Sequence, residues 1–320
     1  MFKIVVTFFA IILVCLPLFN NSAGAETYKV QEGDTLLKIS DKYGTSIDTI
    51  VNLNKLLSTQ LKPGQYLETP KTYKVSEGDT LYKISKKLGV TLPELVDANP
   101  TINNPDWIYP TQTINIPIED GMIYMGNANR KRIALTFDDG PEDTYTPQIL
   151  EILREKGVKA TFFVVGERVK EYPERLRQMY KEGHAIGNHT WDHPHLPELT
   201  DEQMNENIQS TAEEIEKVIG FKPDLFRPPY GEIEDRQVAL LNKQGFRSIM
   251  WTADTKDWSG VSAEEIVSKV KQDAQPGAIV LQHNYHVEGE FETVKALPEI
   301  IDVLRAQGYE FVTVPTLLGE

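Results

Sequence analysis

Two neighbouring carboxylates, two histidines four residues apart and a third histidine far downstream are the side chains here best suited to move protons and hold a cation. The carboxylates are Asp138 and Asp139, in Thr136-Phe-Asp-Asp-Gly-Pro141. Alone, Asp-Gly-Pro is ordinary turn chemistry. At a strand end, however, successive side chains diverge, so one carboxylate can ligate a metal while the other faces a substrate. His189 and His193, in Asn188-His-Thr-Trp-Asp-His193, have a spacing that shares one helical face and lets two rings bind one cation. Arg227, in Phe226-Arg-Pro-Pro-Tyr-Gly231, can hold a carboxylate by a bidentate hydrogen bond, and the rigid Pro-Pro segment presents backbone N–H groups beyond it. Trp251-Thr-Ala-Asp-Thr-Lys-Asp-Trp258 and Ile279-Val-Leu-Gln-His283 each follow a strand-like run and can deliver polar groups to the same place.

All 6 histidines lie between His184 and His286, a concentration that favours a site over scattered surface positions. His184, His195 and His286 are read as structural or supporting. The single cysteine, Cys15, falls in an N-terminal apolar run, so any metal ligands in the rest of the chain are His, Asp or Glu.

The elements that must position these residues alternate. Arg132–Phe137, Ala160–Val165, Arg247–Trp251, Ala278–Gln282 and Glu310–Val314 read as strands. Helical periodicity covers Gln148–Lys156, Gln203–Ile219, Ala263–Gln272 and Glu292–Ala306. Alternation of this kind over residues 131–320 predicts an α/β fold, with a parallel sheet or a (β/α) barrel. In such barrels chemistry sits at the C-terminal ends of strands, where each motif above falls.

The first 25 residues read as an export signal: Lys3, an apolar run from Ile4 to Phe19, then small and polar residues ending Ala23-Gly24-Ala25. The run is short for a membrane span, and retention as an uncleaved anchor is the other reading. The formal net charge of −14 argues against nucleic acid, whose phosphates need a basic surface, and gives no reason to expect docking on anionic lipid. No protein partner is inferred.

Between signal and barrel lies a repeat. Thr27-Tyr-Lys-Val-Gln-Glu-Gly-Asp-Thr-Leu-Leu-Lys-Ile-Ser40 recurs as Thr72-Tyr-Lys-Val-Ser-Glu-Gly-Asp-Thr-Leu-Tyr-Lys-Ile-Ser85. Each copy predicts strand, Gly-Asp turn, two helices and strand, with Asp34 and Asp79 as caps of the first helix. Gly44 and Gly89 suit helix C-termini that need positive φ. The copies, residues 26–70 and 71–118, resemble the LysM carbohydrate-binding module in its β-α-α-β form. The resemblance implies binding to N-acetylglucosamine-containing chains such as peptidoglycan or chitin, mainly through two loops. Tyr28, Tyr73 and the Leu/Ile positions are read as core. Tandem copies raise the effective concentration on a polymer without tight single sites. Residues 119–130 read as a linker.

From Lys131 to Leu318 the order Thr-Phe-Asp-Asp-Gly, His-Thr-x-x-His, Arg-Pro-Pro-Tyr, Asp-x-x-Asp-Trp and Leu-x-His resembles the NodB-type polysaccharide deacetylases, carbohydrate esterase family 4. The resemblance implies a distorted (β/α) barrel that hydrolyses N-acetyl groups with one divalent metal, usually zinc, although cobalt or another divalent ion could serve. By motif position, Asp139, His189 and His193 resemble the metal ligands, Asp138 the catalytic base and His283 the catalytic acid. Arg227 would orient Asp138 and Asp257 would orient His283. The backbone N–H of Tyr230 would help hold the oxyanion, and Trp258 and Leu281 would line the acetyl pocket. A subgroup acting on muramic acid typically lacks the second aspartate of the first motif. The presence of Asp139 therefore points to the metal-dependent branch and to glucosamine.

The expectation is an exported, cell-wall-associated N-deacetylase of peptidoglycan N-acetylglucosamine, anchored by its LysM modules. Chitin is an alternative substrate, and acetylated xylan fits poorly with modules that prefer N-acetylated sugars. A non-catalytic wall-binding protein would be expected to have lost at least one acid, base or ligand. A metal phosphoesterase would want more basic residues around the motifs than Arg227.

Overall fold

Residues 132–138 form a strand because every second side chain finds a different apolar layer. Ile133, Leu135 and Phe137 point into one cluster and Ala134 into another, so both faces are buried. A parallel strand of this kind needs helices outside it and packed side chains inside it, and the rest of the domain supplies both.

A computed structural model describes residues 22–23 and 27–319, apart from 89, 91, 103, 105, 106, 118–120, 129 and 286–291. The expected export signal, with Cys15, lies outside the described residues apart from Ser22 and Ala23, as do Gly89 and His286. Among the described residues, no helix is long and apolar enough to cross a membrane.

The N-terminal part contains strands β1 (Ser22–Ala23) and β2 (Thr27–Lys29), helices α1 (Leu36–Tyr43) and α2 (Ile47–Leu53), and β3 (Tyr66–Glu68). The second copy follows as β4 (Thr72–Lys74), α3 (Leu81–Leu88), α4 (Leu92–Asp97) and β5 (Thr113–Asn115). In each copy the outer strands pair antiparallel, β2 with β3 and β4 with β5. The expected caps are displaced by one residue. Thr35, not Asp34, accepts the backbone N–H of Lys38 at the start of α1. Asp34 instead closes the turn, accepting from Gln31 N at 2.7 Å and Tyr28 Oη at 2.8 Å, and Asp79 does the same with Ser76 and Tyr73. Gly44 ends α1 at φ 60°, as expected.

The elements of the C-terminal domain are β6 (Arg132–Asp138), α5 (Thr146–Glu155), β7 (Thr161–Val164), α6 (Gly166–Glu171), α7 (Pro173–Lys181) and β8 (Ala185–Asn188). They continue as α8 (Asp201–Ile219), β9 (Leu225–Phe226), α9 (Asp235–Lys243), β10 (Arg247–Ser248), β11 (Ala253–Asp254) and α10 (Ala263–Asp273). The last four are β12 (Ile279–His283), α11 (Glu292–Ala306), β13 (Glu310–Phe311) and α12 (Val314–Leu318). Their strands form one parallel sheet in the order β10-β9-β8-β7-β6-β12-β11, with β13 beside β6. The sheet curls into a distorted (β/α) barrel that does not close, β10 and β11 being its two edges.

Only Arg247 and Ser248 of the expected strand Arg247–Trp251 pair with β9. Ile249 N still donates to Phe226 O of β9 at 2.7 Å, but Met250 N turns to Ile123 O at 2.7 Å. Val314 begins a helix instead of ending a strand.

The stretch expected as a linker is in part built into this body. Met122, Tyr124 and Met125 are buried, and Ile123 N donates to Ser248 O at 2.8 Å. The first LysM copy packs on the same segment. Its core residues Leu36, Ile50, Val51 and Leu67 share one apolar cluster with Met122, Tyr124, Met125, Val238 and Met250. Asn52 Oδ1 accepts from the backbone N–H of Tyr124 at 2.9 Å and of Met125 at 3.3 Å.

Candidate active site

The strand register places the functional residues at one end of the barrel. His283, the last residue of β12, stands directly opposite Asp138, the last of β6. Asn188 of β8 pairs with Phe226 of β9, so His189 and Arg227 each lie one residue beyond a strand. Asp139 does likewise after β6. These residues border a cleft of about 390 Å³ lined by Asp138, Asp139, His189, His193, Tyr230 and His283, with Trp251, Asp254, Trp258 and Leu281 among its walls. Eight of the ten expected site residues thus line one cavity, and Arg227 and Asp257 stand behind it.

Asp138 is held from inside the barrel. Arg227, fully buried, donates Nη1 to Asp138 Oδ1 at 2.8 Å and to Thr136 Oγ1 at 2.7 Å. Its Nη2 and Nε donate to the carbonyls of Met250 and Ile249 at 3.1 and 3.2 Å. The guanidinium also lies 4.1 Å over the Phe163 ring. The expected bidentate grip is not formed: one nitrogen holds one oxygen of Asp138, and the rest of the guanidinium is spent on Thr136 and the two carbonyls, which compensates the buried charge.

Asp139, His189 and His193 converge in front of it. The expectation that the two histidines share a helical face is corrected: they lie on a loop. Thr190 (φ 68°) and His193 (φ 58°) adopt left-handed backbone, which folds the loop so that the rings meet at 5.0 Å. Asn188 fastens the turn, its Oδ1 accepting from Thr190 N at 2.9 Å. His189 Nδ1 donates to the carbonyl of Arg227 at 2.7 Å, which directs the Nε2 lone pair into the cleft. His189 Nε2 and His193 Nε2 lie 3.3 and 3.4 Å from Asp139 Oδ1.

That oxygen is buried and makes no hydrogen bond among the described residues. The ligand atoms of the three residues lie within 4.8 Å of one another. A buried carboxylate oxygen facing two imidazole nitrogens, with no donor to satisfy it, fits a divalent cation. Burial works against the Asp139 charge, but His189, His283 and His193 outweigh it and hold the carboxyl well below the usual range. Burial and the neighbouring His189 push His193 down to about 4, against the pull of Asp139 and Asp138, so near neutral pH its ring is unprotonated and free to ligate.

His283 is the opposite case. Its Nδ1 donates to Asp257 Oδ1 at 2.7 Å and its backbone N–H to Asp257 Oδ2 at 2.9 Å. Burial favours the neutral ring, but Asp257, with Asp139 and Asp138 behind it, raises His283 to about 10. Asp257 is fixed in turn by Thr293 Oγ1, 2.5 Å from Oδ2. A carboxylate, an imidazolium and a three-ligand cluster thus share one cleft, an arrangement able to deprotonate on one side and protonate on the other.

Tyr230 sits in a tight turn at φ 58°, with its ring 55% exposed at the rim. His195 stacks on that ring at 4.1 Å and 8° and pairs with Glu232 at 2.9 Å, a supporting position as expected. His184 is structural: it accepts from Ala160 N and packs edge-on against Phe162.

Sequence reasoning missed Thr136, Thr293 and Asn284 as supports. Asn284 Oδ1 accepts from Gly140 N at 3.1 Å, and a Cβ at Gly140 would meet Asn284 Nδ2 at 2.1 Å. The carboxylate turn therefore closes only over glycine. The Asp-Gly-Pro motif itself was the available signal for that contact.

A family model described as polysaccharide deacetylase matches residues 125–249, and one described as LysM domain matches residues 28–70 and 73–117. A peptidoglycan-N-acetylglucosamine deacetylase of Bacillus cereus is 40% identical over 197 residues, covering 61% of this chain and 70% of the relative. The peptidoglycan-N-acetylmuramic acid deacetylase PdaC of Bacillus subtilis is 40% identical over 206 residues, covering 64% of this chain and 42% of its own length. The crystal structure of the Bc1960 peptidoglycan N-acetylglucosamine deacetylase, in complex with a hydroxamate-type benzamide, aligns with a TM-score of 0.60 at 40% identity. The alignment covers 61% of this chain and 91% of that one.

Proposed function

The chain belongs to the polysaccharide deacetylase family and carries two LysM domains, and from that premise we propose that it is a metal-dependent N-deacetylase of N-acetylglucosamine residues in peptidoglycan. The observation that carries the reading is the pairing of Asp138 and His283 across adjacent strands, with Asp139, His189 and His193 gathered in the same cleft.

An amide is a poor electrophile and water a poor nucleophile. A divalent cation held by Asp139, His189 and His193, zinc being the natural choice for such a donor set, supplies Lewis acidity at this spot when bound. The chain's own residues do the rest. Asp138, oriented by Arg227, accepts a proton from the attacking water as the new C–O bond forms. The backbone N–H of Tyr230 donates to the developing oxyanion. His283, an imidazolium held by Asp257, gives its proton to the amide nitrogen as the C–N bond breaks. Acetate and a free amino sugar leave, and a proton passes from Asp138 back to His283 through solvent. Trp258 and Leu281 bound the space for the acetyl methyl.

The Bacillus cereus and Bacillus subtilis relatives, named for N-acetylglucosamine and N-acetylmuramic acid, are equally identical to this chain. Asp139 favours glucosamine. Cell-wall association follows from the LysM domains and from the relatives' peptidoglycan substrates. The apolar run at Ile4–Phe19 and its small-residue end support export.

The test is acetate release from N-acetylglucosamine oligomers and from peptidoglycan by zinc-loaded protein. Chelation and Asp138→Asn should each abolish release, and sugar analysis of the product should find glucosamine. Activity that survives either treatment contradicts the mechanism, and muramic acid as the deacetylated sugar overturns the substrate assignment.

A further inference from the structure

The two LysM copies share a backbone but not a surface. In both, the segment before the last strand folds back beside the first: Gly64 N donates to Val30 O, and Thr111 N to Val75 O, each at 2.8 Å. In both, a glutamine closes the turn. Gln65 Oε1 accepts from Lys62 N at 3.2 Å, and Gln112 Oε1 from Tyr109 N at 2.9 Å. These bonds fix the correspondence residue by residue. Lys62 stands where the second copy has Tyr109, Gln60 where it has Trp107, and Leu37 where it has Tyr82.

Tyr82, Trp107 and Tyr109 are 59%, 67% and 65% exposed, unusual for large rings. Ile108, between the last two, packs on the module's core, so its neighbours both point outward. Tyr82 is the second residue of the helix that follows the adjacent loop. Since Thr111 N donates to Val75 O, the loop bearing Trp107 and Tyr109 ends beside the start of the turn that leads into the helix bearing Tyr82. The first copy offers no ring at any of the three positions. Its exposed Tyr66 lies on β3, away from those three positions, and like Tyr82 it has a lysine ammonium over its ring, Lys29 at 5.7 Å and Lys86 at 5.8 Å.

The copies differ in packing too. The first merges its core with Met122, Tyr124, Met125, Val238 and Met250 of the barrel. Among the described residues, the second keeps a core composed of its own side chains. Asn115 ties it to the first copy, donating to Gly44 O at 2.9 Å.

We propose that the copies have divided the work: the first holds the catalytic domain, and the second captures the glycan through Tyr82, Trp107 and Tyr109. The ligand class, a β-linked chain of N-acetylated sugars, rests on the deacetylase reading above. Such sugars present flat C–H faces and no charge, which suits aromatic rings and gives an acidic protein a contact that needs no cation. One binding module on a polymer also brings the cleft to many successive sugars.

The probe is insoluble β-1,4-linked N-acetylglucosamine polymer, used with chelator so that no turnover occurs. Co-sedimentation of the full chain is compared with Tyr82→Ala/Trp107→Ala/Tyr109→Ala and with Leu37→Ala/Gln60→Ala/Lys62→Ala. The aromatic variant should lose retention by about tenfold or more, as anchor rings do on truncation, while the first-copy variant retains it. Equal retention by the aromatic variant, equal loss in both, or no retention of the parent overturns the proposal. Zinc-loaded aromatic variant should release acetate from short soluble oligomers at the parent's rate, which shows that its fold is intact. Absence of acetate release from the parent itself would count against the deacetylase reading alone, because sedimentation is read without turnover.

Discussion

Arg227 Nη1 reaches Asp138 Oδ1 at 2.8 Å and Thr136 Oγ1 at 2.7 Å, so one buried nitrogen fixes the carboxylate and the strand beneath it. Replacing Arg227 by leucine leaves Asp138 buried without a counter-charge and strands the Met250 and Ile249 carbonyls. Breaking a buried pair in this way costs about 3–5 kcal/mol. For a domain of this size that lowers Tm by about 6–20 °C in calorimetry. Arg227→Lys keeps the charge but loses the fork. It should fold with a smaller loss and show a lower kcat with little change in KM. A leucine variant as stable as the parent would show that the pair contributes nothing.

The Asp257–His283 couple sets a pH dependence. His283 is raised to about 10, with Asp257 the chief cause against burial, so the imidazolium needed as acid persists from neutral pH until the pH climbs through that value. Activity should fall on the alkaline side near there. Asp257→Asn removes the largest upward influence, so the alkaline limb should move to lower pH while kcat falls about 10²-fold. The same pair adds stability that is fully present below the free-imidazole value of about 6.5 and is lost as pH rises through the folded value. The Tm difference between parent and variant should therefore shrink as the pH becomes alkaline. A pH profile of unchanged shape in Asp257→Asn would remove Asp257 from this role.

The orphaned Asp139 Oδ1 predicts a stability readout independent of turnover. Adding zinc to metal-free protein should raise Tm, by an amount equivalent to about 2.7 kcal/mol at a hundredfold excess over Kd. His189→Ala should abolish most of that rise. An equal rise in parent and variant would place the cation elsewhere.

Much of this arrangement was legible in the sequence, for local reasons. Glu292–Ala306 is helical at the bounds its periodicity predicted, and β6 follows from an apolar run ending in paired aspartates. The His189/His193 geometry was not legible, because spacing of four matches a helix and the decisive left-handed turns at Thr190 and His193 carry no glycine signal. Arg247–Trp251 reads as a full strand, yet past Ser248 its carbonyls serve the Arg227 guanidinium, a partner distant in sequence. Thr293 supports Asp257 across 36 residues, and no periodicity encodes a contact of that kind. Likewise α6, α7 and α9 span only 6, 9 and 9 residues, too few turns for a periodic pattern to stand out from the loops around them.

The same limit hid the docking of the first LysM copy, since residues 119–130 read as a linker while Met122, Tyr124 and Met125 within them are buried in the shared core. Asn52 is the polar link: its Oδ1 accepts from Tyr124 N and Met125 N, both within a shared apolar cluster. Asn52→Leu keeps the volume but leaves both donors unsatisfied, at about 1–3 kcal/mol for each. The parent should unfold the first copy and the barrel in one calorimetric transition, and the variant should lower or split it. Asn52→Asp, which still accepts both bonds, should recover most of the loss. If the parent already shows two independent transitions, the copy is a tethered module after all, and the shared cluster contributes little to holding it in place.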